Sequence, residues 1–346
     1  MKQRTSGPLT AATPAKRREP RRLAIKAADP VALAADRAAV SRAIGERLTQ
    51  TSFSKPRAVR NERWVAPDPM TASATRYLLP DSIPRKRAQS LFRWNLVLTL
   101  INATQAVIVA LVSKTEVRFA PIAETVKLLP NPDGGRPLFE QLNITLFDIP
   151  LAALIVTFFA ASALAHFTAA FPLRARYENW LARGKNPLRW IEYSISSTIM
   201  ILAVASLSFI NTFPALVGIA AANVAMNLFG WSMEDANERR EPVRWKHYVF
   251  GCIVGLAPWI AIGTGLAAYG LQPDLDPAYA IPAFVYVIYG SLFVSFNIFA
   301  LIMVLQYRKI GRWKDYLVGE KSYMILSLLA KTLLAWQVWS GTLRPM

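Results

Sequence analysis

The chain has 346 residues, 53% hydrophobic and only 18% charged, yet its formal net charge is +18. The single cysteine, Cys252, excludes an intrachain disulfide, and two histidines without a Cys/His cluster argue against a zinc or haem site. GxSxG, HExxH and a phosphate-cradling glycine loop are all missing, so the common enzyme signatures do not apply.

Residues 1–88 are rich in Arg, Ala, Pro and Ser, with "AKRREPRR" and "IPRKR" as basic clusters. Too little apolar content is present for a packed core, so disorder is the expected state; "PVALAADRAAVSRAIGERL" is at most one transient amphipathic helix. No apolar run suited to a cleaved secretory signal occurs in the first thirty residues, whereas an Arg- and Ser-rich organellar leader stays open. The simplest role for this arm is a solvated tail against anionic lipid headgroups, with a specific protein or nucleic-acid partner as the alternative.

From Trp94 onward seven apolar stretches have spanning length, near 94–113, 146–171, 190–210, 213–231, 248–270, 280–306 and 322–340. Residues 89–346 are therefore expected to form an all-α membrane domain embedded in a lipid bilayer, in the cell membrane or an organellar one. Pro172, Asn186-Pro187, Pro214 and "LQPDLDP" punctuate the connections. Lys and Arg then set the orientation. Of the forty basic residues, thirty-four lie in the arm and in the second, fourth and sixth connections. Only five lie in the first, third and fifth connections and the tail. The amino terminus is expected in the cytoplasm and the carboxyl terminus outside.

The fortieth is Lys331, in the middle of "SYMILSLLAKTLLAWQVW". At about 1.5 Å per residue it lies roughly 15 Å from either interface, too deep to snorkel. A charge there costs roughly 2.5–3.5 kcal/mol on insertion scales, so a partner is required. Glu192 in the third span is the natural one, and His166 is the other ionisable group within a span; Asp148 and Glu234 fall near span ends. A structural Lys–Glu pair between helices explains these residues at minimum. Lysine also forms a Schiff base with an aldehyde, and such a buried cation needs a carboxylate nearby. Aromatic side chains crowd the later spans, including Trp259, Tyr289 and Phe293; they suit a pocket for a long polyene as well as ordinary membrane packing.

Several long motifs occur in order. "WIEYSISSTIM" lies in the third span, "ANVAMNLFGWSMED" closes the fourth, and "YGSLFVSFNIFALIMVLQYRKIGRWKDYLVGEKSYMILSLLAKTLLAWQVW" runs through the sixth and seventh. Over about 90–342 the chain resembles heliorhodopsins, seven-helix retinal proteins whose orientation is inverted relative to ion-pumping microbial rhodopsins. The resemblance implies a rhodopsin-like bundle with all-trans retinal on Lys331 as a protonated Schiff base and Glu192 as counterion. It further implies that Ser327 lies near the Schiff base, that Ser162 and His166 line a cytoplasmic-side hydrogen-bond network, that the first outer loop within 114–145 is structured, and that the protein is a homodimer; Ser196, Trp259, Tyr289 and Phe293 complete the candidate cofactor-binding residues. Asn102 stands where many relatives have histidine, which leaves His166 as the histidine candidate for taking a proton.

Pumping relatives generally have a second carboxylate one turn before the lysine, where this chain has Ser327. Eleven residues beyond Glu192, where proton pumps often have a donor, stands Ala203. A light sensor acting on an unidentified cytoplasmic partner is therefore the expected function. A light-driven or light-gated proton or ion transporter is the alternative, and a non-photoactive transporter with a structural Lys331–Glu192 pair is a third.

Overall fold

The computed structural model describes residues 82–238, 240–273, 276 and 280–344. The expectations for the arm through residue 81 lie outside them. Eight α-helices are present among the described residues: α1 (Arg85–Val112), α2 (Leu151–Ala170), α3 (Arg174–Ala182), α4 (Pro187–Leu207), α5 (Phe213–Ala236), α6 (Lys246–Gly270), α7 (Ala283–Tyr307) and α8 (Tyr316–Val338). All but α3 are long, and they correspond to the seven expected spans. Six of the described helices, α1, α2 and α4–α7, are long and apolar enough to cross a membrane. Helix α8 is more polar because Lys321, Ser322, Ser327, Lys331 and Gln337 share it.

Helix α1 begins nine residues earlier than the apolar run, so Arg85–Ala88, read from sequence as arm, is helical. The second connection is also more ordered than a loop, because Arg174–Ala182 forms α3, whose Tyr177 and Leu181 are buried. Nor is the fold purely helical. Four strands form between α1 and α2: β1 (Arg118–Phe119), β2 (Ile122–Leu129), β3 (Leu138–Thr145) and β4 (Ile149–Pro150). β2 pairs antiparallel with β3 from Ile122↔Thr145 to Leu129↔Leu138, and β1 pairs with β4. The "NPDGG" turn closes the hairpin with Gly134 at positive φ, where a side chain would be strained. Ile122 N–H bonds Asn211 O at 2.8 Å, tying the hairpin to the α4–α5 connection.

Chain direction alternates, so one end collects the basic connections and the other the hairpin. Lys114 N–H bonds Leu343 O at 3.0 Å, bringing the end of the last helix to the hairpin end. Large apolar side chains remain outward along the helices, with Leu111 at 80%, Ile260 at 65% and Leu164 at 65% exposure. Bare apolar flanks on this scale suit hydrocarbon, where each helix satisfies its own backbone. Inside, Phe158, Ile201, Val204, Ile262, Ile288 and Leu334 pack in the core. Pro258 interrupts the hydrogen-bond ladder of α6 beside Trp259.

Candidate functional site

Asn186 starts α4 by accepting a bond from Arg189 N–H, and Pro187 takes the first helical turn. This start places Glu192 one and a half turns inside the bundle, facing α2 and α8. Glu192 Oε1 lies 3.1 Å from Lys331 Nζ, and both side chains are almost wholly buried. Removing two charges from water costs several kcal/mol per ion, and attraction offsets it only if the other polar valences are filled. Two such bonds are present: Ser162 Oγ donates to Glu192 Oε1 at 2.5 Å, and Lys331 Nζ donates to Ser327 Oγ at 2.5 Å. The Tyr193 ring adds a cation–π contact, its centroid 5.5 Å from Nζ.

His166 reaches the same region from α2. Asn95 commits its amide NH2 to Leu91 O, so its Oδ1 accepts from His166 Nδ1–H at 2.8 Å. Ser196, one turn beyond Glu192, is fully buried, and among the described residues its hydroxyl makes no well-formed hydrogen bond. Asn102 is buried in α1, with Nδ2 donating to Leu98 O and Oδ1 without a partner among the described residues. Gln105 Oε1 accepts from Trp336 Nε1 at 3.3 Å.

Two cavities meet the Lys331–Glu192 pair. The larger, about 230 Å³, has walls that include Tyr193, Met200, Trp259, Phe296 and Phe299, and Lys331 and Ser327 lie on its surface. Tyr289 and Phe293 are not on its wall. They back Trp259, with ring centroids 5.6 and 5.5 Å away, and Tyr289 O–H donates to Trp259 O. The smaller cavity, about 30 Å³, touches Glu192, His166 and Ser327. A buried primary amine opening into a mostly apolar, aromatic-walled space fits retinal, a long apolar polyene ending in an aldehyde.

A second buried charge cluster is not legible from the sequence pattern. Arg189, which reads as a loop cation, is buried between Glu234 of α5 and Glu320 of α8. Its Nη1 donates to Glu320 Oε2 at 2.6 Å and its Nη2 to Glu234 Oε1. Glu234 also accepts from Trp190 Nε1, Asn186 N–H and Tyr316 O–H, at 2.7, 2.9 and 3.1 Å. Glu320 accepts from Asn186 Nδ2 at 2.7 Å and Tyr177 O–H at 3.2 Å. The guanidinium carbon also lies 4.1 Å from the Tyr323 ring centroid. The one signal in the sequence is the i, i+11 placement of Glu320 and Lys331 on one helix, obscured by the neighbouring Lys321.

The heliorhodopsin family model matches residues 91–343. Among solved structures, cyanorhodopsin from the cyanobacterium Tolypothrix sp. NIES-4075 is similar at 12% identity with a TM-score of 0.48, covering 75% of this chain and 96% of its own. No curated protein matches the chain. With the family model covering nearly three quarters of the chain and reaching every long helix, this chain belongs to the heliorhodopsin family and is a multi-pass integral membrane protein that binds retinal and responds to light.

Proposed function

We propose that the protein is a light sensor in which Lys331 Nζ is the attachment point for all-trans retinal and Glu192 is the counterion of the resulting cation. The observation that carries this reading is the 3.1 Å contact between Lys331 Nζ and Glu192 Oε1 at the wall of the aromatic cavity. When bound, retinal supplies visible absorption and a double bond that light isomerises. The protein does the rest. Ser162 holds the Glu192 carboxylate in place, Ser327 orients Nζ, and Trp259 forms part of the wall beside the polyene. All seven long helices span the bilayer, with the basic end in the cytoplasm and the hairpin outside.

The residues beyond Glu192 along α4 favour sensing over pumping. Ala203 is fully buried and cannot donate a proton, and among the described residues no carboxylate lines the larger cavity. A proton leaving Lys331 therefore meets polar groups toward the basic end rather than a route to the hairpin end.

The test is the absorption spectrum of protein produced with all-trans retinal, beside Lys331→Ala. A visible band in the first and none in the second is the expected result. A band that survives Lys331→Ala assigns the attachment elsewhere, and no band in either leaves Lys331 and Glu192 as a structural pair.

A further inference from the structure

We propose that Glu320 is the terminal acceptor of the proton that leaves Lys331 Nζ after illumination; this rests on the attachment of retinal to Lys331. The first observation is charge balance. Lys331 and Glu192 sum to zero, whereas Arg189, Glu234 and Glu320 form a buried cluster with one negative charge in excess. That cluster becomes neutral by taking one proton.

The second observation is connectivity. Glu320 lies eleven residues before Lys331 on α8, about 16 Å along the axis. The smaller cavity lies between the two, its wall including Glu192, His166 and Ser327 at one side and Tyr177, Arg189 and Glu320 at the other, and Lys331 meets it through its bond to Ser327. About 30 Å³ is room for one or two waters, with the polar side chains of that wall as their partners. The wall offers hydroxyl and imidazole groups at both ends of this space: His166, held by Asn95, on one side, and Tyr177, which donates to Glu320 Oε1, on the other.

The third observation separates the two carboxylates. Glu234 already accepts from Arg189, Trp190, Asn186 and Tyr316, which fills the four lone-pair positions of a carboxylate. Among the described residues Glu320 accepts from Arg189, Asn186 and Tyr177, three donors against four, and it alone of the pair lines the cavity. The groups facing Glu320 are thus Arg189 and Asn186 from α4, Tyr177 from α3 and, across Arg189, Glu234 from α5. In the transfer the N–H bond at Lys331 breaks with its electron pair left on nitrogen. Protons shift one place along the waters or hydroxyls between, and an O–H bond forms on Glu320.

The experiment is time-resolved light-minus-dark infrared spectroscopy of the retinal-loaded protein, with the visible band recorded in parallel. A carboxylic-acid C=O band should rise as the Lys331 nitrogen loses its proton, be lost in Glu320→Gln, persist in Glu234→Gln, and move in frequency in Glu320→Asp. If Glu320→Gln fails to take up retinal, Glu320→Asp carries the decision, since a band that does not move belongs to another residue. A rising band unchanged in Glu320→Gln, or one lost only in Glu234→Gln, overturns the assignment. Absence of any visible band from the wild-type protein is a different failure, that of the attachment at Lys331.

Discussion

Replacing Arg189 by methionine removes the one cation that two buried carboxylates share. Each charge-assisted hydrogen bond it makes is worth about 1.5–3 kcal/mol, and Arg189 makes one to Glu320 at 2.6 Å and one to Glu234. Its stacking on Tyr323 and Trp190 adds roughly 0.5–2 kcal/mol. Against this stands the desolvation that the guanidinium no longer suffers, so the net loss should be about 3–5 kcal/mol, as for other broken buried pairs. Most of that loss is the strain of two unpaired carboxylates rather than the absence of arginine. The triple variant Arg189→Met, Glu234→Gln, Glu320→Gln should therefore recover most of the stability, to within about 2 kcal/mol of the wild type. Reversible unfolding in mixed micelles, followed by tryptophan fluorescence, measures all three proteins. A triple variant no more stable than Arg189→Met would refute the reasoning, as would a single-variant loss below about 1 kcal/mol.

Glu192→Gln should move the visible band to longer wavelength, because the positive charge at Lys331 loses its carboxylate; an unchanged spectrum assigns the counterion elsewhere. Gly230→Ala should cost up to about 2 kcal/mol, since overpacking of about 1–3 kcal/mol exceeds about 1 kcal/mol of helix propensity. The new Cβ would overlap the Trp190 ring, 2.8 Å from Cε3. In a Trp190→Leu background the same change should turn neutral or stabilising, and equal cost in both backgrounds would show that the ring is not the obstacle. Lys185, in the α3–α4 connection, has its pKa raised chiefly by its hydrogen bond to Glu238, opposed by burial and helped by Asp235. Because the folded value lies above the unfolded one, this contribution is complete below about pH 10.4 and fades as pH rises through the folded value. Lys185→Gln should lower stability by about 0.2–1 kcal/mol at neutral pH, a deficit that thermal melts should find shrinking at high alkaline pH.

Hydropathy and length located all seven long helices, since a span needs about twenty apolar residues and little else does. The pairing of Lys331 with Glu192 was legible because a mid-span lysine demands a partner and few were on offer. Arg189 and Glu320 were hidden for the opposite reason. Both sit within a turn or two of charged connections, where one more Arg or Glu reads as interfacial, and only the packing of α3, α5 and α8 around them removes them from water. The hairpin left a clearer trace, two eight-residue runs around "NPDGG". Its alternation is weak because both faces are exposed and neither had to be apolar. The cavity walls were only partly legible: Trp259 faces the space, whereas Tyr289 and Phe293 stand behind it, and which side of a helix faces a cavity depends on rotations that composition does not encode.

The proline in α6 bears on how a disturbance at the cavity wall would travel. Pro258 has no N–H, so the carbonyl of Val254 receives no helical rung from it. The rod is thus jointed next to Trp259, while Tyr289 pins the carbonyl of Trp259 itself. The half-helix leading back to Lys246 and the half toward Gly270 are joined by one backbone hydrogen bond fewer at the level of the indole. Of the places along α6, this is where bending meets least backbone resistance, beside the Trp259 wall of the cavity.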